Sequence, residues 1–205
     1  MTTHRIEALV DGVFAIAMTL LVLNLALPEM GKGMGLHDLL FGQIDKFVSY
    51  AISFILLAIF WIKHHQQSHF IKRTNGKHLW INIFFLMFVA LVPFSTSLFD
   101  DYSNEPLAHV FFGANILVLA ALLTCNWVYA TNHHRLIDRD LDPYGIALGK
   151  KRGVIAMIVS VLAMGLSFVN PQICSYIYLL IPILQGVSER RYRKVISDTA
   201  YKEVS

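Results

Sequence analysis

Residues 5–28 read RIEALVDGVFAIAMTLLVLNLALP, a long apolar run that is charged only near its start. A helix of this length and apolarity can cross about 30 Å of hydrocarbon, for which roughly 20 residues suffice. It opens on Arg5 and carries an aspartate, Asp11, near its start. A carboxylate at the entry of a membrane helix is costly to desolvate, which makes Asp11 a candidate functional group. Further along, Ile16, Leu20, Leu23 and Leu27 recur at helical spacing as one apolar stripe, bordered by Gly12 and Thr19. At about 100° per residue, Asp11 lies more than about 100° from the centre of that stripe. Asp11 is therefore expected to point at neighbouring helices, and the stripe at another helix, at lipid or at a lined pathway. Asp11 and Asn24 interrupt the run and no small-x-small cleavage site follows, so it reads as a retained first helix rather than a signal peptide.

Similar runs recur along the chain. Of its 205 residues 56% are hydrophobic and only 15% charged, which excludes an ordinary soluble domain. Six spans are expected: Ile6–Leu27, Leu39–His65, Leu79–Phe99, Pro106–Ala130, Gly153–Val169 and Pro171–Val187. Pro182 is expected to bend the sixth, and Asn170-Pro171 to mark a tight turn before it. The chain thus reads as an all-α, polytopic membrane protein, one six-helix unit over residues 1–205. The first-helix pattern has no second copy, so any symmetry must come from separate subunits.

Charge placement orients the unit. Lys63, Lys72, Arg73 and Lys77 fall between spans two and three, Arg135, Arg139 and Lys150–Arg152 between four and five, and Arg190–Lys194 after six. The opposite loops hold few basic residues, Lys32 and Lys46, and the third-to-fourth loop is acidic, with Asp100, Asp101 and Glu105. The positive-inside rule then places both termini in the cytoplasm. GKGMG at 31–35 reads as a flexible outer loop, and the basic tail as an interfacial helix end near anionic lipid rather than a nucleic-acid site.

Several chemistries lack their residues. Cys125 and Cys174 fall near opposite membrane faces and read as structural. His64, His65, His69, His78, His133 and His134 cluster toward one face, but HHQQSH and NHH are only fragments of a di-iron histidine set. DRDLDPYG fails as a calcium loop, because Pro143 takes the required glycine position and Gly149 the acidic one. No Ser/His/Asp arrangement, phosphate-cradling loop, paired intramembrane carboxylate or TVGYG filter is present, so neither an enzyme nor a resident metal or cofactor is expected. For Asp11, possible partners are His64, His65, Trp80 and Asn82; Trp80 could equally be an aromatic-belt anchor.

These residues together resemble the transmembrane protein 175 family of non-canonical potassium channels. Arg5 and Asp11 match its Arg-x-x-x-Phe-Ser-Asp hallmark at the right spacing, with Leu9 and Val10 in place of the Phe and Ser. Trp61-Ile-Lys-His64 is similar to its Trp-x-x-His, and Trp80-x-Asn82 followed by Pro93-Phe-Ser-Thr96 to its third helix. The resemblance covers the first three helices by motif and the last three by topology. It implies a homotetramer in a prokaryotic cell membrane, whose four first helices surround a potassium-selective, leak-type pore. By position it implies a constriction at Ile16, continued by Leu20 and Leu23, with Thr19 offering a hydroxyl to the ion. Arg5, Asp11, His64, Trp80 and Asn82 would then brace the pore helix, and the partners would be other copies of the chain, potassium ions and membrane lipid. A ring of apolar side chains gates by dewetting. The competing readings are a proton-coupled secondary transporter using Asp11 and the histidines, which would show saturable exchange, and a histidine-ligated metalloenzyme, which would carry stoichiometric iron or zinc.

Overall fold

Prolines and glycines mark where the helices begin and break. The computed structural model of the chain describes residues 3–25, 36–138, 141 and 143–190. Helix α1 (Thr3–Leu20) runs into a 3-10 segment, Leu21–Leu25. A short α2 (Leu36–Phe41) precedes α3 (Ile44–Phe70), α4 (Gly76–Asp101) and α5 (Pro106–Thr131). After a turn at Asn132–His134 come α6 (Pro143–Ser167), α7 (Pro171–Ile177) and α8, residues 180–190. Pro106, Pro143 and Pro171 each open a helix, where a missing N–H costs nothing and the fixed φ is already helical. Asn75 caps α4 by accepting from the His78 N–H at 3.0 Å.

The all-helical, multi-pass class is what the structure has. Among the described residues, four segments are long and apolar enough to cross a membrane: His4–Leu25, Ile44–Phe70, Gly76–Asp101 and Pro106–His134. Three expected boundaries move, each for a physical reason. The second span starts at Ile44 rather than Leu39, because a turn at Gly42 and Gln43 separates it from α2. The fifth extends back to Pro143; Lys150, Lys151 and Arg152 are excluded from hydrocarbon but not from a helix. The sixth is broken at Tyr178 and Leu179, four residues before Pro182. Proline cannot donate to the carbonyl of Tyr178, and Ile181 N takes that carbonyl instead at 3.1 Å. Leu27, the 31–35 loop, Arg139 and residues 191–194 lie outside the described residues.

The packing is built around α4 and α5. Helix α4 packs on α1, α3 and α5, and α5 packs extensively on α6. The core stripe of α1 is Ile6, Val10, Phe14, Ala17 and Leu21, each at most 4% exposed. That periodicity is helical, and it turns Ile16, Leu20 and Leu23 away from the body of the chain. Toward the opposite end from the basic loops, Pro93 lacks the N–H an unbroken ladder would use, and its carbonyl accepts from Asn24 Nδ2 at 3.1 Å. Nearby, Thr96 Oγ1 lies 2.9 Å from Ser53 Oγ, and Asn115 Nδ2 donates to Ser95 Oγ at 3.0 Å. The Pro-Phe-Ser-Thr run of α4 thus bonds to the 3-10 segment, to α3 and to α5.

Candidate functional site

Two features of α1 frame the site: an exposed apolar face, and a buried polar network packed near its other side. Within the single chain Ile16 is 61% exposed, Leu23 67% and Leu20 42%. Thr19 shares this exposed side, its hydroxyl lying 2.8 Å from the Ile16 carbonyl and 3.0 Å from that of Ala15. That geometry occupies the hydroxyl hydrogen and leaves oxygen lone pairs to accept or coordinate. Gly12 is also exposed and would admit a Cβ without contact. Ideal periodicity puts Arg5 within about 20° of Ile16, on the same exposed side.

The network lies at the basic end of the helices. Asn82, 2% exposed, is its hub. Its Oδ1 accepts from His64 Nε2 at 2.7 Å. An amide oxygen only accepts, so the neutral His64 ring carries its proton on Nε2, and Nδ1 faces Ser68 Oγ at 3.3 Å. Asn82 Nδ2 donates to the His78 carbonyl at 2.8 Å and lies 3.3 Å from both His78 Nε2 and Asn126 Oδ1. Asn126 Nδ2 donates in turn to Gln67 Oε1, and Gln67 Nε2 to the Leu123 carbonyl, both at 3.3 Å. Thr74 Oγ1 sits 3.0 Å from His78 Nδ1. His64, His78 and Asn126 are all under 5% exposed, so the network ties α3, α4 and α5 together where water does not compete.

Helix α1 leans on this network without entering it. Phe85 stacks on His64 at 5.5 Å between ring centroids and touches Phe14 of α1 at 5.9 Å. Ile6 and Glu7 line a small void with His78 and Asn82. Asp11, on an exposed side of α1, accepts from Trp61 Nε1 of α3 at 2.8 Å.

Of the residues singled out from sequence, the structure brings His64 and Asn82 into direct contact and ties Asp11 to the same α3 helix. Trp80 takes no part in this constellation: it is 60% exposed, with its ring against Phe84 at 5.9 Å. It stands two residues before Asn82, about 200° around the helix, so the two side chains cannot share a face. The indole that reaches Asp11 is that of Trp61, and Arg5 lies on the surface. Sequence reasoning passed over Trp61 as a donor and His78, Gln67 and Asn126 as partners. The signal for them was polarity inside apolar runs, since a buried amide in a span must find a partner. Of the remaining histidines, His65 stacks on Trp61 at 5.9 Å, and His133 and His134 take left-handed backbone with φ of 52° and 51° in an exposed turn. Among the described residues no group of three or more His, Cys, Asp or Glu is placed to hold a metal ion.

Fold and site together define a multi-pass helical membrane protein whose first helix is packed against the body of the chain on one side and exposed on the other. The family model described as endosomal/lysosomal potassium channel TMEM175 matches residues 5–93, which include Asp11, Trp61, His64, His78 and Asn82 but not Asn126. A potassium channel of Streptomyces collinus is 30% identical over 189 residues, covering 90% of this chain and 92% of its own length. Another, from Chamaesiphon minutus, is 31% identical over 82% of this chain and 85% of its own. The crystal structure of a lysosomal potassium-selective channel TMEM175 homolog from Chamaesiphon minutus superposes with a TM-score of 0.79, at 26% identity, over 93% of this chain and 97% of that one. The chain belongs to the TMEM175 family.

Proposed function

We propose that this protein is a potassium channel whose pore is lined by α1 from four copies of the chain, in a cell membrane with both termini cytoplasmic. The observation that carries the reading is the two-sidedness of α1. One stripe is sealed against the core, while Ile16, Leu20 and Leu23 stand exposed on the other side, next to Thr19. The family membership supports conduction, and relatives named as potassium channels over nearly their whole length support the ion.

In this arrangement the constriction is apolar and lacks a carbonyl filter of the TVGYG type. Ile16 forms its narrowest ring, and Leu20 and Leu23 extend it. A column of water cannot persist in such a ring when it is tight, so an ion meets a dehydration barrier that modest widening removes. Thr19 presents the nearest oxygen lone pairs to the passing cation. The His64–Asn82 network, through Phe85 and Phe14, and the Trp61–Asp11 bond hold the pore helix at its angle and do not touch the ion.

Purified protein in liposomes with an outward potassium gradient tests the reading. Uncoupled flux that does not saturate across the accessible gradient is expected. Absence of flux, or stoichiometric exchange that requires a proton gradient, contradicts it and favours a carrier built on Asp11.

A further inference from the structure

Helix α3 packs on α1, α4 and α5, and cavities open along the seam between it and α6 and α8, with α5 forming part of one wall. Three adjoining cavities run along this seam, of about 30, 90 and 220 Å³, and Lys63 lines all of them. Arg152 lines two. The walls change character along the seam. Toward the middle of the bundle they are Ile59, Phe60, Ala156 and Ile181, and toward its basic end they are the two cations with Gln66 and Gln67. The widest cavity, about 220 Å³, sets Ile59, Ile62 and Pro182 beside Lys63 at the end of a membrane helix, a pairing that suits an acyl chain with an anionic head group.

The charge balance agrees. Arg152, whose side chain is 11% exposed, meets Glu189 at 3.1 Å. Lys63 Nζ makes a 3.3 Å bond to the neutral Gln66 Oε1. Among the described residues, two cations, Lys63 and Arg152, and one carboxylate, Glu189, line the seam, next to hydrocarbon, where an excess positive charge is expensive to hold. We propose that the α3–α6–α8 seam is a binding site for an anionic phospholipid, its phosphate between Lys63 and Arg152 and one acyl chain along Ile59, Ile62 and Pro182. The occupant is a lipid rather than a free phosphate because apolar walls adjoin the cations. The site lies on the opposite side of α3 from the Trp61–Asp11 bond and is separate from the proposed pore face.

Native mass spectrometry of the delipidated full chain, titrated with phosphatidylglycerol or phosphatidylcholine, tests this. Phosphatidylglycerol is expected to bind more tightly. A cation near an anionic lipid contributes about 1 kcal/mol, so Lys63→Gln should weaken phosphatidylglycerol roughly fivefold and leave phosphatidylcholine unchanged. Lys72→Gln, which removes an exposed cation at the same end of the bundle but off the seam, should change neither. Glu189→Gln should strengthen phosphatidylglycerol binding, because it removes the competing carboxylate. Equal binding of the two lipids overturns the proposal, as do equal losses in Lys63→Gln and Lys72→Gln. Glycerol phosphate competing at the lipid's own concentration overturns it too, since it would identify the ligand as a soluble anion.

Discussion

Trp80 and Asn82 stand two residues apart and leave α4 on opposite sides, and their consequences for stability should differ accordingly. Replacing Asn82 by alanine strands His64 Nε2 and Asn126 Oδ1 in a buried setting, at about 1–3 kcal/mol for each group left unpaired. Asn82→Ala should therefore lower the melting temperature of the detergent-solubilised protein sharply. Trp80→Phe alters an exposed ring and should stay within about 0.5 kcal/mol. Trp61→Phe falls between: it removes the indole N–H that Asp11 accepts, but that bond is exposed and its worth is about 1 kcal/mol or less. Thermal unfolding of the three variants in one detergent ranks them, and a larger loss in Trp80→Phe than in Asn82→Ala would refute the network as described. The sequence motif Trp80-x-Asn82 names both residues, yet only the helical phase, read with the burial of α4, separates the network residue from the surface ring.

At the scale of helices, the tightest approach is between α5 and α6. A Cβ on Gly149 would collide with the Trp127 indole, and one on Gly153 with the Thr124 side chain. Gly149 and Gly153 form a small-xxx-small pair, the pattern that lets membrane helices meet closely. Gly165, on the same α6, has open space around its missing Cβ. Gly153→Ala should destabilise by about 1–3 kcal/mol through overpacking. Gly165→Ala should be neutral or slightly stabilising, since alanine exceeds glycine in helix propensity by about 1 kcal/mol. Thermal melts of the two variants check this pair. Apolar run length made the first four spans legible, because desolvation of a helix in hydrocarbon depends on little else. It failed at α6, where Lys150–Arg152 hid three helical turns, and at the break before Pro182, which falls upstream of the proline because the lost bond belongs to the carbonyl of Tyr178. The polar partners Asn24, Ser53, Asn115 and Asn126 were not pairable from sequence, since helical phase does not say which neighbouring helix lies opposite.

For the whole molecule, the exposed apolar side of α1 is one of several such faces on the single chain; on α6, Ile158 and Leu162 are 54% and 55% exposed. Under the proposed function a closed ring of copies turns the α1 face toward its central axis. Native mass spectrometry from detergent should then give four chains per particle, and Ile16→Asp should reduce that assembly or leave a pore permanently wetted. Under the proposed function Ile16 faces an ion path, and cysteine modification reports on that placement. In a background with the exposed Cys125 changed to serine, Ile16→Cys and Ile158→Cys place a thiol on α1 and on α6, at positions 61% and 54% exposed in the single chain. With both variants in liposomes under a potassium gradient, a methanethiosulfonate reagent should sharply change flux through Ile16→Cys and leave Ile158→Cys unaffected. Unchanged flux through Ile16→Cys despite full modification, or equal effects at both positions, would contradict a pore lined by the first helix.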